Sequence, residues 1–337
     1  MLVVRPIRHN DYPTLHVCAE ESGHGFTSLP VDEALLHERI EHSVASFSKP
    51  VTEPDGEGYL MVGVDSETGE MAGTTAIEAS IGGDVPVYSY HISKIIHSSQ
   101  KLGIKNVVRL LTLSNHYAGC SEICTLFLRP AYRQGMNGKL MSKCRFLLMA
   151  EHPERFSPTV IAEMRGISDE HGKSPFWKWL QDAFFHIEFT HADHLMGIRD
   201  KSFITELMPK LPIYTNLLSR DAQAVIGKVH KYTVPALKML QKEGFVCRDY
   251  VDIFDAGPTV ECDLHNINSV KHSLRATVAI GQVGNSDFLI SNTSFADFRA
   301  VATKAWYDAG SNTLFVNQET LAALKIHQGD AVRLLPM

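Results

Sequence analysis

What this sequence lacks narrows it first. Its six cysteines (Cys18, Cys120, Cys124, Cys144, Cys247, Cys262) form no CxxC pair and no framework spacing, which argues against a disulfide scaffold and fits free thiols in a reducing compartment. No apolar run approaches the roughly 20 residues of a membrane helix, so no membrane partner is expected. The opening, MLVVRPIRHND, has only a short apolar stretch ahead of its charges; no signal peptide is expected, and the cytoplasm is the default location. Positive charge is scarce: 32 Lys and Arg against 38 Asp and Glu leave a net charge of −6. That balance argues against a broad nucleic-acid footprint but leaves room for a local basic pocket. Histidines number 17, yet no HExxH occurs, and the tightest cluster, His186, His191 and His194, has no metal-site spacing, so no metal is expected.

What is present belongs to an ordinary folded chain. With 337 residues, 44% apolar and 21% charged, it has room for one large domain and a smaller one. Leu2–Ile7 reads as a first strand. Asn10–Asp11 can cap a helix carrying Leu15, Val17 and Cys18, and a second helix runs from about Asp32 through Val44. Tyr59–Val64 and Met71–Glu78 flank a polar turn and predict a β-hairpin; Tyr88–Ile92 and Val107–Leu113 are further extended runs. Val160–Gly166 predicts a strand. Ser174–Pro175 opens an amphipathic helix whose stripe, Phe176, Trp177, Leu180, Phe184 and Phe185, points to core packing rather than a cofactor. Thr190 to Gly227 is helical and loop-rich, broken by Pro209 and Pro212. Pro235–Phe245 reads as a helix with a Gly244 cap, followed by strands over Val246–Phe254 and Thr259–Cys262. From about Leu274 the texture changes to short β runs, Ala276–Ile280, Phe288–Ser291 and Leu314–Val316, with one helix at Glu319–Leu324. These predict a separate small β domain.

The stretch richest in chemistry is Cys120–His152. Cys124–Leu128 is an apolar strand that Arg129–Pro130 ends, since proline cannot donate to a ladder. Tyr132–Gly138 is basic and glycine-bearing. From Lys139, apolar residues Leu140, Met141, Cys144, Leu147 and Leu148 recur at helical spacing. Strand, basic glycine turn and helix start together aim backbone N–H groups and a positive helix end at an anion. Alone, the pattern fits a tight strand-to-helix turn as well as it fits a phosphate cradle.

The order of elements resembles the acyl-CoA N-acyltransferase fold of the GNAT superfamily, an α+β fold with a central mixed sheet. In that fold the turn after the fourth strand reads roughly Q/R-x-x-G-x-G/A and holds the pyrophosphate of coenzyme A. Arg133, Asn137 and Gly138 fit it; Met136 stands at the middle glycine position, with Gly135 one place earlier. Backbone amides do the binding, so a methionine suits if its φ is negative. Longer blocks narrow the resemblance. GFTSLP (25–30), SEICTLFL (121–128), EMRG with DEHGKSPFW (163–177), FITELMPKLPIY (203–214), IGKVH (226–230) and DIFDAGPTVECD (252–263) are similar to arginine N-succinyltransferases. The resemblance spans residues 1 to about 270, and that family also has a C-terminal β domain. It implies an acyltransferase domain over 1–272, with a helical insertion around 174–230, and a small β-barrel-like domain over 273–337.

The same resemblance implies transfer of succinyl from succinyl-CoA to the α-amino group of L-arginine, the first step of arginine catabolism. Succinyl-CoA would be a co-substrate, with no permanently bound cofactor. Leu126 in CTLFL would be the succinyl-CoA contact, working through its backbone N–H. His230 would be the proton donor, a role that suits imidazole near neutrality. Arg133, Gly135, Asn137 and Gly138 would form the CoA cradle. A guanidinium asks for a carboxylate and a succinyl group for a cation. Glu163, Asp169, Glu170 and Glu206 are candidates for the first and Arg165 for the second; Glu163 and Arg165 rank highest, on the strand expected beside the CoA strand. Two alternatives stay open: an N-acyltransferase for ornithine or another amino acid, and a non-catalytic subunit paired with an active partner. A homodimer, or a hetero-oligomer with a related subunit, is the expected assembly.

Overall fold

Leu2–Pro6 is short and apolar but for the half-buried Arg5, and most of it is buried because it pairs along both edges. One neighbour is Gly58–Asp65, with Val4 opposite Gly63; the other is Ala300–Asp308, with Val3 opposite Val301, both antiparallel. The two ends of the sequence therefore share a sheet. The computed structural model describes residues 1–23, 28–169, 172–185 and 207–337 of an α+β chain. It divides into two units: Met1–Ser80, Ile123–Pro158 and Asp263–Met337 make the first, Ile81–Glu122 and Thr159–Cys262 the second.

In the first unit the expected hairpin forms between Gly58–Asp65 and Met71–Glu78, with Leu60 opposite Ala76. The strand Ser121–Leu128 lies beside Met71–Glu78, and Gly73 allows the approach: a Cβ there would stand 2.2 Å from the Phe127 carbonyl oxygen. The helix Glu33–Ser48 is capped by Asp32, whose carboxylate accepts the Leu35 N–H at 3.0 Å. It brings Leu36 and Ile40 into one buried cluster with Leu60 and Val62. The helix Asn137–Glu151 starts two residues ahead of the expected Lys139. It is buried on most of its surface because it packs against strands and against the short helix Asn268–His272.

Five strands of this unit, Leu274–Ile280, Ser286–Asn292, Ala300–Asp308, Thr313–Val316 and Ala331–Pro336, close on themselves. Each pairs with two of the others, so the barrel has no free edge within it. Val278, Ile290, Val301, Leu314, Val332 and Leu334 fill it, closed at one side by Leu321 and Leu324 of the helix Gln318–Leu324. Ala300–Asp308 is the strand that periodicity misses. Its Lys304 and half-buried Thr303 blur the alternation, and only pairing identifies it.

In the second unit Thr159–Glu163 is followed across the sheet by Pro258–Asp263, Val246–Asp252, Ser89–Ser99, Ile104–Ser114 and Ile213–Tyr214. Ser121 and Glu122 pair in parallel with Val160 and Ile161, a ladder of two pairs only. Ser89–Ser99 and Ile104–Ser114 form one long hairpin, in register from Ser89 opposite Ser114 to Ser99 opposite Ile104. The sequence predicts only its inner halves. Its outer part has water on both faces, so no apolar alternation marks it, and Lys94, Lys105 and Arg109 guard edges that other strands leave unpaired. The expected aromatic stripe is core for Phe176, Trp177 and Leu180, which pack with Tyr90, Leu111 and Val251. It stops there. The α-helix covers only Pro175–Leu180, and the wider turn Gln181–Phe185 rotates Phe184 off the stripe to 44% exposure.

Leu314 is fully buried in the barrel core. Leu314→Ala is expected to destabilise the fold by about 2–5 kcal/mol, read as a lower thermal midpoint; an unchanged midpoint would contradict the packing described.

Candidate active site

The first group of predicted residues lies in the first unit, where the strand Ser121–Leu128 meets the helix Asn137–Glu151. The strand alternates between buried and half-buried side chains, with Leu126 half-buried. It is interrupted once: Thr125 has a φ of +53°. A left-handed, β-branched residue in mid-strand costs about 1–3 kcal/mol and re-aims the backbone as a bulge does. The peptide that follows carries the Leu126 N–H.

Beyond Leu128 the chain turns through Pro130–Tyr132. Arg129 forks onto Glu21, at 2.9 and 2.8 Å, so its charge is already used. Arg133 is exposed, with Nε donating to the Leu128 carbonyl oxygen at 2.8 Å, which leaves its Nη groups facing out. Asn137 donates from Nδ2 to the Tyr132 carbonyl oxygen at 3.0 Å and so braces the turn. The glycine departure resolves simply. Gly135 takes the positive φ of +55°, and Met136 sits at φ −93°, ψ −3°, which any L-residue adopts. A Cβ on Gly135 or Gly138 would meet nothing within 4 Å, so both face open space. No side chain at Met136 caps the helix, and the Asn137 N–H already donates to the Gln134 carbonyl oxygen at 3.2 Å, so the next amides, from Gly138 on, are the ones an anion could meet.

The second group lies in the second unit. The strand expected over Val160–Gly166 ends at Glu163, whose side chain is exposed. The next residues leave the ladder because other partners claim them. The Met164 N–H donates to the Pro258 carbonyl oxygen at 3.1 Å, the Arg165 carbonyl accepts the His230 N–H at 2.9 Å, and Gly166 bridges Val229. Arg165 and His230, far apart in sequence, are thus held together by backbone. Arg165 is half-buried: Nη2 donates to Ser168 Oγ at 3.0 Å, while Nε is buried without a hydrogen-bond partner among the described residues. His230 is 9% exposed, and its Nδ1 accepts the Tyr232 N–H at 3.4 Å, which leaves the proton of the neutral ring on Nε2. Burial, then the charges of Arg165 and Lys231, lower its pKa below the usual value, so the ring is neutral at pH 7.

Sequence reasoning missed two members of this group, Asp252 and Asp255. The Asp252 carboxylate accepts the N–H groups of Phe254 and Asp255 at 2.7 and 2.8 Å. Asp255 accepts the Gly166 N–H at 2.6 Å and the Gly257 N–H at 2.8 Å. Burial raises the pKa of both, and the neighbouring Asp252 charge helps push Asp255 up to about 7. The available signal was the spacing D-x-x-D-x-G in DIFDAGP, a turn whose carboxylates bond their own backbone. Asp169 is exposed and caps its own loop by accepting the Lys173 N–H at 2.8 Å. Glu170, Glu206 and the cluster His186, His191 and His194 lie outside the described residues. Among the described residues no group of His, Cys, Asp or Glu could hold a metal ion, and no helix is long and apolar enough to cross a membrane.

Known proteins match this chain from end to end. The family model described as arginine N-succinyltransferase beta subunit matches residues 2–269, and that of its C-terminal domain matches residues 271–336. The chain belongs to the arginine N-succinyltransferase family. Among similar relatives are the arginine N-succinyltransferases of Escherichia coli strain K12 and Citrobacter koseri, each 45% identical over 338 residues, covering 99% of this chain and 97% of theirs. The solved structure of arginine/ornithine succinyltransferase subunit AI from Pseudomonas aeruginosa is 35% identical, with a TM-score of 0.91, covering 100% of this chain and 98% of that one.

A carboxyl whose folded pKa lies above its unfolded value of about 3.9 binds more protons when folded, so its contribution favours folding at low pH and is lost as pH rises towards 7. Asp255, raised to about 7, has this sign. The thermal midpoint of the wild type is expected to fall between about pH 5 and pH 8 more steeply than that of Asp255→Asn. Parallel curves would mean that the pair holds no extra proton.

Proposed function

We propose that this chain is an arginine N-succinyltransferase, transferring succinyl from succinyl-CoA to the α-amino group of L-arginine to give N2-succinyl-L-arginine and CoA, the first step of arginine catabolism. The observation that carries this reading is the end-to-end family match, with relatives of that name at 45% identity over 99% of the chain. The fold is read as GNAT-like over 1–272, with 273–337 as a small barrel domain. The location is read as cytoplasmic, and the assembly as a homodimer or a hetero-oligomer with a related subunit.

In this reading the exposed Arg133 and the amides about Gly135, Asn137 and Gly138 hold the CoA pyrophosphate. The Leu126 N–H meets the thioester carbonyl oxygen. The α-amino nitrogen attacks the carbonyl carbon, negative charge gathers on that oxygen, and the C–S bond breaks as the charge returns. His230 handles the protons. A ring that rests neutral can take the proton that the amine must lose and deliver it to the departing thiolate, which matches the lowered pKa better than a permanently protonated donor would. Arg165, whose buried Nε lacks a partner among the described residues, supplies the cation for the succinyl carboxylate, and Glu163 the carboxylate for the guanidinium. A second reading has one observation in its favour: the similar Pseudomonas aeruginosa protein is titled an arginine/ornithine succinyltransferase subunit. Ornithine as acceptor, or dependence on a partner subunit, follows from it.

Free-thiol release from succinyl-CoA with arginine, ornithine or no acceptor separates these readings. Arginine-dependent release by the isolated chain supports the first, and no release by the isolated chain supports the partner-dependent one. His230→Ala should lower kcat about 10²–10⁴-fold with succinyl-CoA affinity nearly intact; wild-type turnover from the folded variant removes His230 from the mechanism. Arg165→Leu should cut the preference for succinyl-CoA over acetyl-CoA about 10–100-fold, and an unchanged preference refutes that role.

A further inference from the structure

Thr125 holds its left-handed backbone, φ +53°, directly before Leu126, and two side chains keep it there. The buried Thr74 hydroxyl donates to the Thr125 carbonyl oxygen at 2.9 Å. Arg39, from the helix Glu33–Ser48, donates from Nη2 to the Thr125 hydroxyl at 2.8 Å. The guanidinium is itself fixed by the Glu78 carboxylate at 3.3 Å and by the Ser28 carbonyl oxygen. The Thr125 hydroxyl in turn donates to Cys124 Sγ at 3.4 Å, so both of its roles are used.

The Thr125 carbonyl and the Leu126 N–H belong to one peptide plane. No peptide bond among the described residues is cis, so this carbonyl and N–H point in opposite directions. Tying the oxygen to Thr74 therefore aims the Leu126 N–H the other way, and the bond at the oxygen polarises that N–H as a donor. We propose that Arg39 is a positioning residue for acyl transfer: together with Thr74 it clamps the Thr125–Leu126 peptide so that the Leu126 N–H meets the developing oxyanion. This rests on the reading of Leu126 as the thioester contact. An ion pair serving stability alone would place the guanidinium best on its carboxylate. Here the shorter side-chain bond, 2.8 Å against 3.3 Å, goes to the strained threonine.

Arg39→Met and Thr74→Val are the first tests, with kcat and KM for succinyl-CoA measured beside the thermal midpoint. The clamp predicts a fall in kcat of about 10–100-fold with KM within about threefold, since an oxyanion donor is misdirected rather than removed. Arg39→Lys should recover part of the loss. Adding Thr125→Gly to Arg39→Met should recover about tenfold, because glycine keeps a positive φ unaided. The proposal is overturned if folded Arg39→Met keeps wild-type kcat, or if only KM and the midpoint move and Thr125→Gly recovers nothing. Should Arg39→Met fail to fold, Thr74→Val removes a single hydroxyl at constant shape, and an unchanged kcat there overturns the clamp equally. Failure of the underlying reading looks different: Leu126→Pro, which deletes the N–H, would then fold and turn over at the wild-type rate. An inactive Leu126→Pro beside an indifferent Arg39 overturns the clamp alone.

Discussion

The carboxylate of Asp255 does in the second unit what a β-ladder does elsewhere. By accepting the N–H groups of Gly166 and Gly257 it fastens the end of one strand to the turn before another. The Arg165 carbonyl, one residue away, then fixes His230. The approach is close enough to dictate residue types: a Cβ on Gly257 would stand 2.0 Å from the Met164 carbonyl oxygen, and one on Gly166 would stand 2.4 Å from that of Asp255. Burial raises the pKa of both acids, and the charge of Asp252 helps lift Asp255 to about 7, so the pair favours holding a proton below that pH. The same crowding that lifts the acids presses the imidazole the other way. Burial and the cations beside it leave His230 neutral.

The first unit solves a comparable problem by another route. In the proposed reading this strand presents one backbone N–H to a ligand, and such a group cannot sit in a regular ladder. The left-handed turn of the backbone at Thr125 breaks the regularity, and polar side chains from a neighbouring strand and a helix hold the break. Beyond it, the glycine turn needs a left-handed residue only at Gly135, which is why Met136 does no harm to the helix start. In both units, then, side-chain bonds to the backbone help fix it at the points where chemistry is assigned.

Much of this was legible in the residues. The hairpin over Tyr59–Glu78, the core placement of Phe176, Trp177 and Leu180, and the strand-turn-helix at Cys124–Glu151 follow from periodicity and from proline and glycine positions. Where the period vanished, prediction failed. The outer hairpin around Ile96 and Ile104 has no buried face to mark it, and Ala300–Asp308 is blurred by Lys304. Phe184 left its stripe because it lies within the wide helical turn Gln181–Phe185, which shifts its phase.

By itself the sequence determined the family, through long unusual blocks in one order, and with it the residues to watch: Leu126, the basic glycine turn and His230. The resemblance carried these assignments; spacing and residue type alone left Leu126 a core residue and His230 one loop histidine among 17. Tertiary structure alone decided that Asp252 and Asp255 are buried acids, that Arg39 and Thr74 grip Thr125, and that His230 rests neutral against Arg165. The reason is the same in each case. Burial, a pKa and the direction of a peptide depend on what lies across space, and Arg39 stands 86 residues from Thr125 in the chain yet 2.8 Å from it in the fold.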